Sequence, residues 1–342
     1  MRVLQLVSRD DVGGVRVLTD MIGGGLSSAS VTVDTLSLIG NTGLGRIGHL
    51  SRVIGRIATG RYDAILAYHA AASVVAGSIG SLVGVPHRLS HLTAIPSAIR
   101  PHWRWADRLL GAAGGYTAII ANSTPTVTAF SAYPAAYRKR ISLLPHGVPQ
   151  LPTGPAVDWR QRLGITNGRT LLVASGRLAA QKDFATAVRA LPMLPDADLA
   201  IAGDGEQRAM LLTLATELDV TDRVHLVGSL PHANLGSFLS AGDCYLFPSV
   251  WETFGLAGVE AQMLGLPIVA SDLPVLVEVL GPAGLVRHHP VGDAAALAAA
   301  VRETVAMPAD AATRANTGRK AEEQHSVAKM LQGYRALLGL VR

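Results

Sequence analysis

The sequence predicts two α/β domains, each a doubly wound parallel sheet, and three observations carry that expectation. The chain has 342 residues, about twice the usual single-domain length. Short runs rich in Val, Ile and Leu recur along it, each followed by a stretch of helical character, and that alternation is the mark of βαβ units. It breaks once, at Gly147–Pro155 (GVPQLPTGP), where proline and glycine crowd together without periodicity. Such a segment reads as an interdomain linker. The expected boundaries are residues 1–148 for the first domain and 149–325 for the second. A last helix, about Ser326 to Leu340 within 326–342, is expected as a separate piece able to cross back to the first half.

The expected strands of the first half are Val3–Val7, Val31–Leu38, Ala64–Ala67, a short run including Arg88 and Leu89, Ala118–Ala121 and Ile141–Leu144. Those of the second half are Leu171–Ala174, Leu199–Ala202, Val224–Val227, Cys244–Phe247, Ile268–Ala270 and Gly284–Val286. Most are continuously apolar, as strands covered on both faces are. The Gly23–Gly25 run is expected to cap and end the first helix. Two uncharged windows, Ala64–Pro86 and Gly111–Tyr137, are long enough to cross a bilayer. Gly, Ser and Pro residues, with His69 and Asn122, interrupt them, and each splits into a strand and an Ala/Gly-rich helix. The apolar opening Val3–Val7 is too short for a secretory signal and runs at once into Arg9, Asp10 and Asp11.

Apolar residues at 49% and charged residues at 16% exclude a disordered or fibrous chain. A single cysteine, Cys244, excludes a disulfide framework and a cysteine-based zinc site, and fits a reducing compartment. The net charge of +5 is unevenly spread: residues 1–150 hold 14 Lys/Arg against 6 Asp and no Glu, and the remainder holds 16 against 19. A basic first half calls for an anionic partner, a phosphate-bearing acceptor or an anionic membrane surface. Nucleic acid is not expected, because the cations are scattered and lack interleaved aromatics. The stretch Ile99–Leu110 combines Trp103 and Trp105 with Arg100, Arg104 and Arg108. It reads either as an interfacial membrane helix or as a solvated helix with its tryptophans turned inward.

The strongest chemical signal is Pro248–Ala261 (PSVWETFGLAGVEA), between the strand Cys244–Phe247 and an apolar helix. Glu252 falls in the loop and Glu260 about a turn and a half into the helix. Eight positions do not bring two helical side chains onto one face, so the pair suits two parts of an extended ligand. Between them Phe254, Gly255 and Leu256 would offer unpaired N–H groups at a helix N-terminus, an anion site, with Gly255 letting the backbone come close to a phosphate. The alternative has Glu252 merely capping a helix and Glu260 paired with a surface base. A second signal, Gly176–Asp183 (GRLAAQKD), ends the strand Leu171–Ala174. Ligands of open α/β sheets bind beyond the carboxyl ends of strands, which places Arg177 and Lys182 to hold a diphosphate, or leaves them as ordinary surface cations. Gly13 and Gly14 open the first helix and can cradle a phosphate or only serve the turn. Gly203-Asp204-Gly205 follows another strand and can either touch ribose or base or serve as a plain N-cap, with Asp204 capping the next helix; Leu230 is a further binding candidate. Asp196 and Asp198 lie before their strand, the wrong end of the sheet for a metal–diphosphate. No metal site is expected, nor any cofactor. Of eleven histidines, His69 and His91 fall at strand ends of the first half and His146 at the linker; each is either an ordinary packing or surface histidine or a neutral imidazole that can donate to developing charge or accept a hydroxyl proton.

Taken together these motifs resemble the GT-B retaining glycosyltransferases of family 4. The resemblance rests on the Glu-x7-Glu signature at Glu252 and Glu260, the GRL-xxx-K loop at Gly176–Lys182, the GDG turn at Gly203–Gly205, the VHLVG strand at Val224–Gly228 and the LFPS strand end at Leu246–Ser249. It covers most of residues 170–272, and is looser in the first half. It implies two Rossmann-like domains facing across a cleft, the first binding acceptor and the second a nucleotide-sugar donor. It implies that Arg177 and Lys182 bind the diphosphate, Glu252 and the Phe254–Leu256 backbone the sugar and phosphate, and Glu260 the ribose hydroxyls. His91 matches the family's histidine that contacts the transferring sugar better than His69 does. The chain departs from the family pattern at His146-Gly147-Val148-Pro149, where Asn-Gly-Val-Asp is common, and at Tyr68-His69, where His-x-His is common. The implied activity is metal-independent transfer from a UDP- or GDP-sugar to a glycan or polyprenyl-linked acceptor, in the cytoplasm at the inner face of the plasma membrane. A nucleotide-sugar 2-epimerase and a non-catalytic nucleotide-sugar-binding module are the alternatives.

Overall fold

A computed structural model of the chain describes residues 1–9, 14–40, 45–152, 157–281 and 285–340. The chain forms two compact units, Met1–Gly147 with Val327–Arg342, and Val148–Ser326. The first contains β1 (Arg2–Arg9), β2 (Thr32–Ile39), β3 (Ala64–Tyr68), β4 (His87–His91), β5 (Ala118–Ala121) and β6 (Ile141–Leu143), all parallel in the order β2-β1-β3-β4-β5-β6. The second contains β7 (Thr170–Ser175), β8 (Ala197–Ala202), β9 (Val224–Gly228), β10 (Cys244–Phe247), β11 (Ile268–Ser271) and β12 (Val286–His289), in the order β12-β11-β10-β7-β8-β9.

Both faces of each sheet are covered, which explains the unbroken apolar runs. In β3, Ala64, Leu66 and Tyr68 enter one core and Ile65 and Ala67 the other. In β7, Leu172 and Ala174 point to one face of the second sheet, Leu171 and Val173 to the opposite one. A polar bridge crosses the first sheet, where the Tyr68 hydroxyl donates to Gln5 Oε1 and Gln5 Nε2 donates to the Thr19 carbonyl. The helix Val327–Leu337 packs in the first unit, with Met330 and Tyr334 in the core built on β1 and β3.

Two sequence expectations need correction. The glycines Gly23–Gly25 do not end the first helix, which runs from Gly14 to Leu26. Two of them face close neighbours: a Cβ at Gly25 would lie 2.3 Å from Leu331 Cδ1, and one at Gly23 2.7 Å from Gln5 Nε2, whereas one at Gly24 would meet nothing within 4 Å. The last strand is Val286–His289 and not Gly284–Val286; Gly284 lies outside the described residues. As an edge strand paired only with β11, it accommodates Arg287, His288 and His289, which hid it from an apolar-run reading. The two uncharged windows each divide into strand and helix, and among the described residues no helix is long and apolar enough to cross a membrane.

Candidate functional site

The second sheet reverses direction of growth between β7 and β10, the crevice position at which open α/β sheets bind ligands. Both strongest motifs leave the sheet there. After β7, Gly176 turns with φ +142° and Leu178 dives into the core, while Arg177 stays exposed and its guanidinium has no ion pair or hydrogen bond among the described residues. The GDG turn locks this loop by backbone contacts. The Gly176 amide donates to the Ala202 carbonyl (2.9 Å), the Leu178 amide to Asp204 (3.0 Å) and the Gln207 amide to Leu178 (2.9 Å). A Cβ on Gly203 would sit 1.8 Å from the Gly176 carbonyl oxygen. Gly203 is therefore demanded by loop packing, and its influence on a ligand runs through Arg177 and Lys182.

Across the β7–β10 seam, the Val250 amide donates to the Gln181 carbonyl (2.9 Å) and Gln181 Nε2 to the Trp251 carbonyl (3.1 Å). These two bonds bring Lys182 against Glu252. Lys182 Nζ donates to Glu252 Oε1 at 2.6 Å, Ser249 Oγ donates to the same oxygen at 3.0 Å, and the ammonium stands 5.1 Å from the centre of the Phe247 ring. Glu252 is thus neither a helix cap nor a free surface acid. Ser249 and Phe247 belong to the quoted LFPS motif, but their parts in holding Glu252 and Lys182 were not visible in it.

The helix Leu256–Met263 begins at Gly255, which adopts φ +95°. A Cβ there would meet Leu276 Cδ2 at 2.8 Å and Phe247 Cε1 at 3.0 Å. The expectation that Gly255 admits a phosphate through its missing side chain is corrected: the open side faces the core, and glycine is needed for the left-handed turn. Among the described residues no carbonyl pairs with the Gly255, Leu256 and Ala257 amides, so the helix start keeps its capacity for an anion. The Phe254 side chain is buried against His325 and contributes only its backbone side to this end. Leu230 is partly buried, packed on the core beside Trp159 and Leu163.

Glu260 is buried, and its carboxyl has no hydrogen-bond partner among the described residues. Burial pushes its pKa up to about 7, with the nearby Lys182 ammonium pulling against that rise. The surface-base reading of Glu260 does not hold. The folded state keeps a proton that the unfolded chain has lost above pH 4.5, so stability falls as pH rises from about 4.5 through 7. Glu260→Gln is expected to flatten that slope and to raise stability at pH 8 by up to about 3 kcal/mol. Urea midpoints at pH 5 and pH 8 for both proteins check it; an unchanged slope would count against a protonated Glu260. Asp198, by contrast, is engaged by Arg169 and faces His225.

In the first unit, His91 is buried with both ring nitrogens engaged: Nδ1 with the Ala67 carbonyl (3.0 Å) and Nε2 with the Tyr334 hydroxyl (2.9 Å). The ring stacks on Tyr68 at 4.2 Å, and burial pushes its pKa down to about 4, so it is neutral at physiological pH. His69 is less buried and has φ +71°. Both histidines line one pocket. His146 is buried, bonded to Asn122 Nδ2 at 3.0 Å, its pKa pushed down to about 3. Gly14 is the exposed first residue of its helix, and Gly13 lies outside the described residues.

Residues 157–324 match the family of glycosyl transferases group 1. That segment of the chain belongs to the family. Among group 1 relatives, the 2-deoxystreptamine glucosyltransferase of Streptomyces kanamyceticus is 30% identical over 70% of this chain and 64% of its own. The glycogen synthase of Mycobacterium tuberculosis is 38% identical over 45% of this chain and 38% of its own. This chain thus spans less than two thirds of either relative. Among solved structures, Anabaena Alr3699/HepE in complex with UDP and glucose superposes with a TM-score of 0.82 at 21% identity, covering 100% of both chains. The group 1 fold is the GT-B one, seen here as two six-stranded parallel sheets with flanking helices.

Proposed function

We propose that this group 1 chain is a retaining glycosyltransferase that moves a sugar from a UDP- or GDP-sugar to a glycan or polyprenyl-linked acceptor in surface polysaccharide assembly. The observation that carries the reading is the meeting of Arg177, Lys182, Glu252, Glu260 and the free amides of Gly255–Ala257 at the switch point of one sheet. Two cations and a helix start suit a diphosphate; two carboxylates suit the hydroxyls of a sugar and a ribose. Lys182 is paired with Glu252 in this structure. Donor binding would transfer Lys182 to the phosphate and free Glu252 for sugar hydroxyls.

In the transfer, the bond between the anomeric carbon and the phosphate oxygen breaks as the acceptor oxygen bonds to that carbon on the same face. The acceptor's proton passes to the departing phosphate oxygen. Arg177, Lys182 and the helix amides receive the developing charge, a role worth a few kcal/mol per group, and the reaction so drawn needs no metal. His91, expected from the sequence to contact the sugar, has both ring nitrogens engaged by Ala67 and Tyr334, so in this geometry it shapes the pocket wall and does not hydrogen-bond the sugar.

The test is release of free UDP or GDP from a panel of nucleotide sugars, with and without acceptor and with a chelator present. Acceptor-dependent release with retained anomeric configuration is the expected result. Interconversion of the sugar at C2 would point to an epimerase, and binding without turnover to a binding module.

A membrane-surface location is supported by the helix Pro101–Ala112. Trp105 is 67% exposed and Leu109, one turn on, 48% exposed, with Arg104 and Arg108 exposed beside them. This pattern fits an interfacial helix. Trp105→Glu is expected to reduce flotation with anionic vesicles at least tenfold at low salt; unchanged flotation would remove the membrane claim.

A further inference from the structure

The first unit holds a pocket of about 200 Å³ at the carboxyl ends of β1, β3 and β4. It sits where the order β2-β1-β3 reverses, the switch point of this sheet. Two hydroxyls in its wall, Ser8 Oγ and Thr93 Oγ1, are buried and have no hydrogen-bond partner among the described residues. Buried hydroxyls without partners are uncommon and costly, and a ligand bearing hydroxyls would satisfy them. His69, in the same wall, holds a φ of +71°, a strained conformation that functional sites tend to retain.

The charge of the wall is one-sided. Arg100 lines the pocket and is exposed, and its guanidinium has no ion pair or hydrogen bond among the described residues. It stands at the start of the helix Pro101–Ala112, whose N-terminal end adds positive potential. The carboxylate in the wall, Asp107, is already used: Tyr116 donates to Oδ1 and Tyr137 to Oδ2, each at 2.8 Å. The ring of Trp103, half-buried in the same wall, offers an apolar face.

We propose that this pocket takes the hydroxylated ring of a phosphate-bearing acceptor, with Arg100 on the phosphate, Ser8 and Thr93 on ring hydroxyls, and Trp103 against the ring face. The inference rests on the transferase reading above and narrows its acceptor class to anionic polyols. The guanidinium fork suits phosphate, and an amino sugar would bring a cation to an unpaired cation.

Calorimetric titration of the full chain with glucose 6-phosphate, glucose and glucosamine tests it, with phosphatidylinositol vesicles as a second arm and UDP titrated separately. Glucose 6-phosphate should bind at least tenfold more tightly than the other two sugars. Arg100→Ala should erase the preference, Arg100→Glu should turn it toward glucosamine, and Thr93→Val should weaken glucose and glucose 6-phosphate alike. Binding confined to the vesicles would assign the phosphate to a lipid headgroup and support the same pocket. Equal binding of the three sugars, a preference that survives Arg100→Ala, or no binding of sugar phosphate or vesicle while UDP still binds would overturn the proposal and leave the donor reading standing. Failure of UDP to bind the unaltered chain would instead strike the donor reading.

Discussion

Lys182→Ala is expected to lower turnover about 10²–10³-fold, the usual loss when one preorganised group facing a developing negative charge is removed. The substitution takes away the ammonium that stands 2.6 Å from Glu252 and 5.1 Å from the Phe247 ring. Glu252→Gln should fall by a similar factor through the sugar hydroxyls. The double variant should lose less than the sum of the two, since the residues share one interaction. Initial rates of UDP release from a nucleotide sugar, beside a cooperative urea transition, separate lost chemistry from lost folding. Near-normal turnover in either single variant would contradict the assigned site.

Gly203→Ala is expected to be the most damaging small substitution in the second unit, at about 3 kcal/mol or more. The new Cβ would meet the Gly176 carbonyl oxygen at 1.8 Å, a backbone atom that cannot rotate away, at φ +151°. Gly228→Ala supplies the control, because φ is +78° there but nothing lies within 4 Å, and about 1–2 kcal/mol is expected. The Gly203 variant should also lose nucleotide binding, because the displaced Gly176 carries Arg177 and Lys182 with it. Equal urea midpoints for the two variants would show that the close approach is not the cause.

How much of this was legible in the sequence depended on which physical signal each element carried. The central strands were legible because both faces are buried, and β12 was misplaced because an edge strand tolerates Arg287, His288 and His289. Gly23–Gly25 read as a helix end because glycine more often ends helices, whereas here Gly25 and Gly23 face Leu331 and Gln5 closely. Arg177, Lys182, Glu252 and Glu260 were legible as compact motifs on strands that become neighbours. Their states were not: the Lys182–Glu252 pair and the raised pKa of Glu260 depend on distances and burial across 70 residues of chain. Ser8, Thr93 and Arg100 carry no motif. Only the strand order β2-β1-β3-β4 brings their segments to one pocket.

The central claim is that the second unit grips a nucleoside diphosphate with Arg177, Lys182 and the amides that open the helix Leu256–Met263. A crystal structure of the chain with UDP tests it most directly. The account predicts the two phosphates within hydrogen-bond distance of Lys182 and of the Gly255–Ala257 amides, with Glu252 released from Lys182 and Glu260 facing the ribose. A diphosphate bound elsewhere, with the Lys182–Glu252 pair intact, would contradict it.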